Sequence, residues 1–340
     1  MLLSLVIPVY NEVEALPVLL ATVRSVMAAS DLDYEILFVD DGSADGSVDL
    51  LKEAASEDPH VKALFFSRNF GHQAAITAGL DMATGDAVAV MDADLQDPPD
   101  LLPEMVSLVQ QGYDVVSPQR VTRSGEGLFK RKSATFFYWL IRKMVNERVP
   151  AEVGDFRMFS RRAIAAMRQL REQHRFMRGM VAWLGLREII IPFHRRARVA
   201  GQTKYPTWKM LRFAWTAISS FSALPLRLSI FLGLLTTACG IGYGAYSVFA
   251  ALVLNMTVPG WTSLICLNIV FSGTTMIAVG LVGEYVARLY EEAKGRPLYV
   301  VSETANLDIE ESHVAKGMML PRHQTNASSR HDVETYVTVR

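Results

Sequence analysis

Two closely spaced aspartates follow a hydrophobic run in the stretch AVMDADLQDPPD, residues 89–100. The carboxylates of Asp92 and Asp94 are separated by one residue, and Gln96 adds an amide carbonyl group. Divalent cations such as Mg²⁺ and Mn²⁺ prefer oxygen ligands of this kind and are often bound together with substrate phosphates. The spacing therefore predicts a metal site at Asp92, Asp94 and Gln96. The alternative is an acidic, solvated loop or a helix cap.

A second acidic pair lies in VDDGSADGS, residues 39–47, where Asp40 and Asp41 end another hydrophobic run. Carboxylates in this position can accept hydrogen bonds from a nucleotide base or a ribose. We also expect Ser43 or Asp45 to cap the helix that follows. The sequence contains neither a Walker A loop nor G-x-G-x-x-G, so the usual fingerprints of ATP and NAD binding are missing.

A third acidic position, Asp155, lies in VGDFRMFS, residues 153–160, between an apolar run and a helical pattern. Two interpretations fit this spacing equally well. Asp155 is either an acid–base group in an active site or the N-cap of the following helix.

A basic segment, RRARVAGQTKY, covers residues 195–205 and includes Arg195, Arg198 and Lys204. Guanidinium groups hold phosphates through paired hydrogen bonds, so these side chains suit a phosphate at a lipid surface. Simple attraction to anionic headgroups, worth about 1 kcal/mol for each basic residue, is the alternative and is compatible with the first interpretation.

Residues 1–120 alternate between short apolar runs and amphipathic helical patterns. This alternation predicts an α/β fold with a parallel sheet and helices on both faces. Ligands bind such sheets at the carboxyl ends of the strands. The polar residues at 10–12, 40–41 and 92–97 follow predicted strands, so we expect them to meet at that edge.

A long uncharged stretch follows the predicted α/β domain. Residues 228–283 contain no Asp, Glu, Lys, Arg or His. A bilayer core takes about 20 apolar residues per helix, so we predict two transmembrane helices, 228–254 and 264–289. The basic, aromatic segment 206–227 is typical of an interfacial amphipathic helix. Basic residues flank the hairpin, which places the N-terminal domain, residues 1–205, in the cytoplasm at the inner membrane.

The net charge, the cysteines and the polar C-terminal segment limit the kinds of partner and site that the sequence predicts. The net charge is −1, which gives no reason to expect a nucleic acid. Cys239 and Cys266 lie inside the uncharged stretch, and neither is typical of a zinc ligand or a disulfide partner. The polar segment 302–340 shows no pattern and is predicted to be a disordered cytoplasmic tail. Small residues in 233–247 would permit close helix contacts and a homo-oligomer.

Seven stretches together resemble the polyprenyl-phosphate glycosyltransferases, which are membrane-anchored members of glycosyltransferase family 2 with a GT-A (Rossmann-like) catalytic domain. The nearest kind is the bactoprenol (undecaprenyl-phosphate) glucosyltransferase, related to dolichol-phosphate mannose synthase. The resemblance covers about residues 3–301. The stretches are LVIPVYNE, VDDGSADGS, SRNFGHQAAITAGLD, DADLQDPPD, GDFRMFSRRA, RVAGQTKY and GEYVARLYEEAKGRPLYVV.

The resemblance implies a role for each candidate residue. Asp155 matches the family's proposed catalytic aspartate. The metal, Mg²⁺ or Mn²⁺, would be held against a diphosphate by Asp92, Asp94 and Gln96. The nucleotide-sugar pocket would be lined by Pro8, Tyr10, Glu12, Asp40, Asp41 and Asp92, and the acceptor phosphate would lie near Arg195, Arg198 and Lys204.

The reaction implied by the resemblance joins a nucleotide-sugar to a polyprenyl phosphate, with inversion at the anomeric carbon. UDP-glucose is the first choice of donor, and UDP-galactose, UDP-N-acetylhexosamines, GDP-mannose and formylated aminoarabinose donors stay open. A processive polysaccharide synthase is disfavoured because Q-x-x-R-W is missing from the sequence. A membrane-anchored module that binds metal without turnover is the non-enzymatic alternative.

Overall fold

The computed structural model describes residues 1–30, 32–120, 153–193, 224–253, 260–307 and 318–319. The predicted basic residues Arg195, Arg198 and Lys204, and most of the predicted interfacial segment 206–227, lie outside the described residues.

The described elements follow the predicted βα order through residue 120. The strands are β1 (Leu2–Val9), β2 (Asp33–Asp40), β3 (Val61–Phe66), β4 (Ala87–Val90), β5 (Val115–Arg120), β6 (Arg157–Ser160), β7 (Glu188–Phe193), β8 (Val300–Ala305) and β9 (Met318–Met319). The helices are α1 (Leu16–Ala28), α2 (Ser47–Glu57), α3 (His72–Met82), α4 (Leu102–Gln110), α5 (Arg161–Met167), α6 (Met177–Leu184), α7 (Leu224–Leu252) and α8 (Gly260–Ala293).

The described strands form one sheet in the order β7-β5-β6-β4-β1-β2-β3-β8-β9. Strands β4, β1, β2 and β3 are parallel neighbours, as predicted. The complete sheet is mixed, because β6 runs antiparallel to β4 and β5, and β8 runs antiparallel to β3. Both strands lie beyond residue 120, where the regular βα alternation ends.

Helices cover both faces of the central strands, and β1 shows why. Successive side chains of a strand point to opposite faces. Leu5 and Ile7 belong to the core beneath α1, α2 and α4, whereas Val6 belongs to the core beneath α3, α5 and α6. A strand that is buried on both faces has a continuous hydrophobic sequence, which is why the strand was recognisable in the sequence.

Two long helices, α7 and α8, correspond to the predicted membrane hairpin. Their segments Pro225–Ala250 and Ser263–Ala293 are long and apolar enough to cross a membrane, with mean hydropathies of 1.6 and 2.0 and no buried residues in their most apolar windows. The helices contact each other where Phe271 packs on Gly240, since a Cβ atom there would lie 2.6 Å from Cζ of Phe271. Length and composition fit the predicted spans.

The chain returns to the catalytic domain after α8. Residues Val300–Ala305 form β8 against β3, so the prediction that disorder begins at residue 302 is wrong for residues 302–305. Tyr299, directly before β8, is fully buried, and its hydroxyl donates a hydrogen bond of 2.9 Å to Oδ2 of Asp81 on α3. This segment therefore belongs to the fold of the catalytic domain.

Candidate active site

The antiparallel pairing of β4 and β6 brings two of the predicted acidic residues to the same edge of the sheet. Val90, the last residue of β4, is in register with Arg157, the first residue of β6. Asp92 lies two residues beyond the end of β4, and Asp155 lies two residues before the start of β6. Both carboxylates therefore project from the edge that carries the carboxyl ends of β1, β2 and β4.

His72, the first residue of α3, lies between these carboxylates. Its Nε2 atom is 3.5 Å from Oδ1 of Asp92 and 3.6 Å from Oδ2 of Asp155. The two carboxylate oxygens are consequently no more than about 7 Å apart. Burial by itself lowers the pKa of His72, but the neighbouring Asp155 and Asp92 raise it to about 9. At neutral pH His72 is thus a cation between two carboxylates.

Asp155 is held by donors on both of its oxygens. Nε of Arg178 donates a hydrogen bond of 3.2 Å to Oδ1, and Nε2 of Gln73 donates one of 3.2 Å to Oδ2. Burial by itself raises the pKa of Asp155, but Arg178 and His72 outweigh it and hold the pKa well below its usual range. Asp155 is therefore ionised at neutral pH.

The N-cap interpretation of Asp155 is wrong. Helix α5 begins after Ser160, whose side chain accepts a hydrogen bond of 3.2 Å from the backbone N–H of Ala163. The short strand β6 separates Asp155 from this cap. Asp155 is thus a loop residue at the end of the sheet.

The predicted metal-binding residues lie in a tight turn after β4. The backbone N–H of Gln96 donates a hydrogen bond of 3.1 Å to Oδ1 of Asp94. Leu95, between them, has a φ angle of 56°, which is uncommon for a leucine, and its side chain is buried. Unusual backbone conformations of this kind concentrate at functional sites.

The donor set of this turn fits a hard divalent cation. Oε1 of Gln96 is buried and has no hydrogen-bond partner within the described part of the chain. The described residues contain no group of three or more His, Cys, Asp or Glu side chains arranged as metal ligands. A cation at Asp92, Asp94 and Gln96 would need ligands besides these three side chains, and substrate phosphates commonly supply oxygen ligands to Mg²⁺.

The acidic pair after β2 has two different environments. Oδ2 of Asp40 accepts hydrogen bonds of 3.1 and 3.0 Å from the backbone of Gly42 and Ser43, whereas its buried Oδ1 has no partner among the described residues. Asp41 instead accepts hydrogen bonds from the backbone N–H groups of Phe70 and Gly71, at 2.6 and 3.0 Å. Burial raises the pKa of Asp41. Asp41 thus fixes the chain that leads into α3, whereas Oδ1 of Asp40 is an acceptor atom that the described residues leave unpaired.

The glycine in this loop is required by close packing. Gly42 has a φ angle of 73°, and a Cβ atom there would lie 2.7 Å from the backbone of Arg68 and Asn69. The loop after β2 is therefore pressed against the segment that leads to His72. The predicted caps of the next helix are wrong, because its N-cap is Gly46, whereas Asp45 accepts a hydrogen bond of 3.0 Å from the backbone of Ser47.

The residues after β1 form the neighbouring loop. Pro8 is buried in β1 in register with Val39, whereas Tyr10 is exposed. The backbone N–H of Glu12 donates a hydrogen bond of 3.1 Å to Oγ of Ser47, which ties this loop to α2. The roles of Pro8, Tyr10 and Glu12 in nucleotide binding stay predictions.

Comparisons with known proteins identify the family of this chain. Residues 4–168 match the family described as Glycosyl transferase family 2. An uncharacterized glycosyltransferase of Bacillus subtilis (strain 168) is 42% identical over 305 residues, which cover 90% of this chain and 94% of the relative. A prophage bactoprenol glucosyl transferase homolog of Escherichia coli (strain K12) is 39% identical, with 88% and 98% covered. The bactoprenol glucosyl transferase of Shigella phage SfV is 40% identical, also with 88% and 98% covered.

The chain belongs to glycosyl transferase family 2. The predicted GT-A type of α/β fold and the predicted glycosyltransferase activity are confirmed by this membership. Among solved structures, glucosyl-3-phosphoglycerate synthase of Mycobacterium tuberculosis is 17% identical, with a TM-score of 0.44 and 64% of this chain and 77% of that chain covered. The family assignment rests on the sequence relatives.

Three residues of this candidate site were not singled out in the sequence: His72, Gln73 and Arg178. The first two begin α3, and Arg178 lies in the first turn of α6. The stretch GHQAA is part of the family resemblance and was the available signal for His72 and Gln73. Nothing in the sequence around Arg178 indicates its contact with Asp155, because the two are brought together by the packing of α6 against the sheet.

Proposed function

We propose that this family 2 glycosyltransferase transfers a hexose, glucose from UDP-glucose, to undecaprenyl phosphate at the cytoplasmic face of a membrane. The observation that carries the proposal is the position of His72, which lies 3.5 Å from Asp92 and 3.6 Å from Asp155, so that these two carboxylates are within about 7 Å of each other. A carboxylate for the reacting sugar thus lies beside a site for the donor diphosphate. The choice of glucose and of a lipid acceptor is supported by the relatives named as bactoprenol glucosyl transferases.

The nucleophile in this reaction is an oxygen of the acceptor phosphate. The second pKa of a phosphate monoester is about 6, so the acceptor is mostly a dianion at neutral pH and needs no strong base. Its oxygen attacks the anomeric carbon while the bond from that carbon to the diphosphate oxygen breaks, and the electron pair leaves with UDP. A single in-line displacement inverts the configuration at the anomeric carbon.

The residues of the chain then have separate roles. Asp92, Asp94 and Gln96 would hold Mg²⁺ or Mn²⁺, which neutralises negative charge on the leaving diphosphate when it is bound. Oδ1 of Asp40 accepts a hydrogen bond from the nucleotide. Asp155 is ionised and a weak base, so it orients the sugar or the basic groups around the acceptor. Arg195, Arg198 and Lys204 are proposed to bind the acceptor phosphate.

The membrane location follows from the acceptor and from helices α7 and α8. A polyprenyl chain stays in the bilayer, so an enzyme that uses its phosphate has to act at the membrane surface. The proposal is supported by the two helices, which are long and apolar enough to anchor the catalytic domain there, and by the basic flanks, which favour the cytoplasmic side.

The experiment is transfer of radiolabel from UDP-glucose to undecaprenyl phosphate by the purified full-length protein, with Mg²⁺ or with EDTA. We expect a labelled lipid that requires the metal and is lost in Asp94→Ala. A labelled lipid only from another nucleotide-sugar would keep the reaction class and replace the donor. A labelled polymer would favour a processive synthase. If the folded protein binds metal but forms no product, the result would contradict the proposal that it catalyses this reaction.

A further inference from the structure

We infer that Gln73 is a positioning residue that sets the orientation of the Asp155 carboxylate. This inference rests on the proposed function, in which Asp155 acts on the reacting groups. Gln73 is the second residue of α3, and its side chain spans the gap between α6 and the loop that carries Asp155.

The orientation of the Gln73 amide is fixed by its partners. Its Oε1 atom accepts a hydrogen bond of 3.1 Å from the backbone N–H of Met177, which can only donate. The NH₂ group of the same amide must then face the other way, where Nε2 donates a hydrogen bond of 3.2 Å to Oδ2 of Asp155. The carboxylate therefore receives a donor whose position is set by the first turn of a helix.

The second oxygen of Asp155 is held independently. Nε of Arg178 donates to Oδ1 over 3.2 Å, and Arg178 directly follows Met177 at the start of α6. Rotation of a carboxylate about its last bond has only weak intrinsic preferences. Two donors on different oxygens remove that freedom, so Gln73 and Arg178 together define the plane of the Asp155 carboxylate.

Loss of the Gln73 donor would leave the Asp155 carboxylate with a hydrogen bond on Oδ1 and none of good length on Oδ2. Arg178 would still bind Oδ1, while Oδ2 would keep His72 at 3.6 Å, beyond a good hydrogen-bond distance. The carboxylate would then be free to rotate about its last bond. A displacement of about 1 Å in a positioned group costs roughly 100-fold in rate, so a measurable loss of turnover is expected.

A purely structural role for Gln73 is the competing explanation, because the side chain also ties α3 to α6. The two explanations differ in how the effects of substitutions combine. A residue that acts only through Asp155 has no further effect once the Asp155 carboxylate is gone, whereas a general structural tie has the same effect in either background.

The test measures kcat and donor KM for Gln73→Met, Asp155→Asn and the double variant in the full-length protein. We expect Gln73→Met to lower kcat about 10- to 100-fold with donor KM changed less than about twofold, and to lower kcat no further in the Asp155→Asn background. Gln73→Glu should lose more than Gln73→Met, since it keeps the acceptor for Met177 and places a carboxylate against Asp155. Gln110→Met, on the exposed surface of α4, is the matched control.

Equal losses in both backgrounds, or an unchanged kcat for Gln73→Met, would overturn the inference while leaving the proposed function intact. A second readout does not depend on turnover. An experimental structure of Gln73→Met should show the Asp155 carboxylate rotated away from its position between residues 73 and 178. An unrotated carboxylate would overturn the inference even if the wild-type protein formed no glycolipid, which is the outcome that contradicts the proposed function.

Discussion

Arg178 donates a hydrogen bond of 3.2 Å from Nε to Oδ1 of Asp155, a carboxylate of which 15% is exposed. The guanidinium charge opposes the effect of burial, so the pKa of Asp155 stays well below its usual range. A carboxylate with a depressed pKa is ionised throughout the range in which enzymes are assayed, and it is a poor proton acceptor. This pair therefore favours an orienting role for the aspartate.

The pH dependence of Asp155→Asn separates orientation from base catalysis. We expect activity of the wild-type protein to rise with pH through about 6, where the acceptor phosphate loses its second proton. If Asp155 orients, the variant is slower by about 100-fold at every pH and keeps the same midpoint. The measurement is kcat/KM from pH 5 to 9 for both proteins. Recovery of the variant as the pH rises would instead indicate that Asp155 removes a proton.

Substitution of Asp94 tests the metal site. Asp94→Ala removes one of two carboxylates that would hold the cation, whose charge stabilisation is worth several kcal/mol. Each 1.36 kcal/mol corresponds to a tenfold change in rate, so a loss of more than about 100-fold is expected. Activity of the variant should need a higher Mg²⁺ or Mn²⁺ concentration, measured by titration of each metal. Asp33→Ala, at the exposed start of β2, is the control. An unchanged metal requirement in Asp94→Ala would remove Asp94 from the site.

The buried pair of Tyr299 and Asp81 joins the segment after the hairpin to α3. The Tyr299 hydroxyl donates to Oδ2 of Asp81 over 2.9 Å, and Arg171 donates to the same carboxylate over 2.8 Å. The Tyr299 ring also stacks on Phe66 of β3, with the ring centroids 5.3 Å apart. A hydrogen bond to a charged group contributes about 1.5–3 kcal/mol.

Tyr299→Phe keeps the ring stacking and removes only this hydrogen bond, so we expect a loss of about 1–2 kcal/mol in the free energy of unfolding. Arg171 still pairs with Asp81 in the variant, which keeps the loss below that of an unpaired buried charge. Thermal unfolding of the purified protein gives the measurement. Tyr34→Phe, in a half-buried tyrosine that stacks on His60, should change the stability less. Equal stability of Tyr299→Phe and wild type would show that the hydrogen bond from Tyr299 to Asp81 does not stabilise the catalytic domain.

The sequence was informative where structure depends on local patterns. The strands and helices up to residue 120 were predictable because most of the strands are short apolar runs and most of the helices are amphipathic. Asp92 and Asp94 were recognisable because they follow such a run. Their contacts with other residues of the site were not recognisable. The contact of His72 with Asp155 depends on the antiparallel pairing of β4 with β6, which joins segments about 70 residues apart.

Strand β8 shows the same limit at the other end of the chain. Its sequence, VVSETA, contains two adjacent valines followed by polar residues, so it lacks the alternation or the long apolar run of a typical strand. Val301 is buried, whereas Glu303 is exposed and pairs with Lys52 of α2 at 2.6 Å. This strand is stabilised by its pairing with β3 and by Tyr299, and neither contact is visible in the local sequence.

Glu35, a buried carboxylate near the start of the central strand β2, predicts how the free energy of unfolding depends on pH. Glu35 accepts hydrogen bonds from Ser4, from Thr84 and from Lys62, the last at 2.6 Å. Burial by itself raises the pKa of Glu35, but these donors outweigh it and hold the pKa below its ordinary value. Because the pKa is lower in the folded state, the ionised group stabilises the fold above the ordinary glutamate pKa of about 4.3, and this contribution is lost as the pH falls through the lower folded value.

Glu35→Gln should therefore destabilise the protein by about 1–3 kcal/mol at pH 7, where the variant leaves Lys62 without its charged partner. The difference from wild type should shrink as the pH falls below about 4.3, because Glu35 then takes up a proton first in the unfolded chain and, at the lower folded pKa, in the folded protein. Unfolding temperatures of both proteins between pH 7 and pH 3.5 give the measurement, with Glu53→Gln on the exposed face of α2 as the control. A difference that stayed constant across this range would mean that the hydrogen-bonding shape of the side chain, and not its charge, stabilises this edge of the sheet.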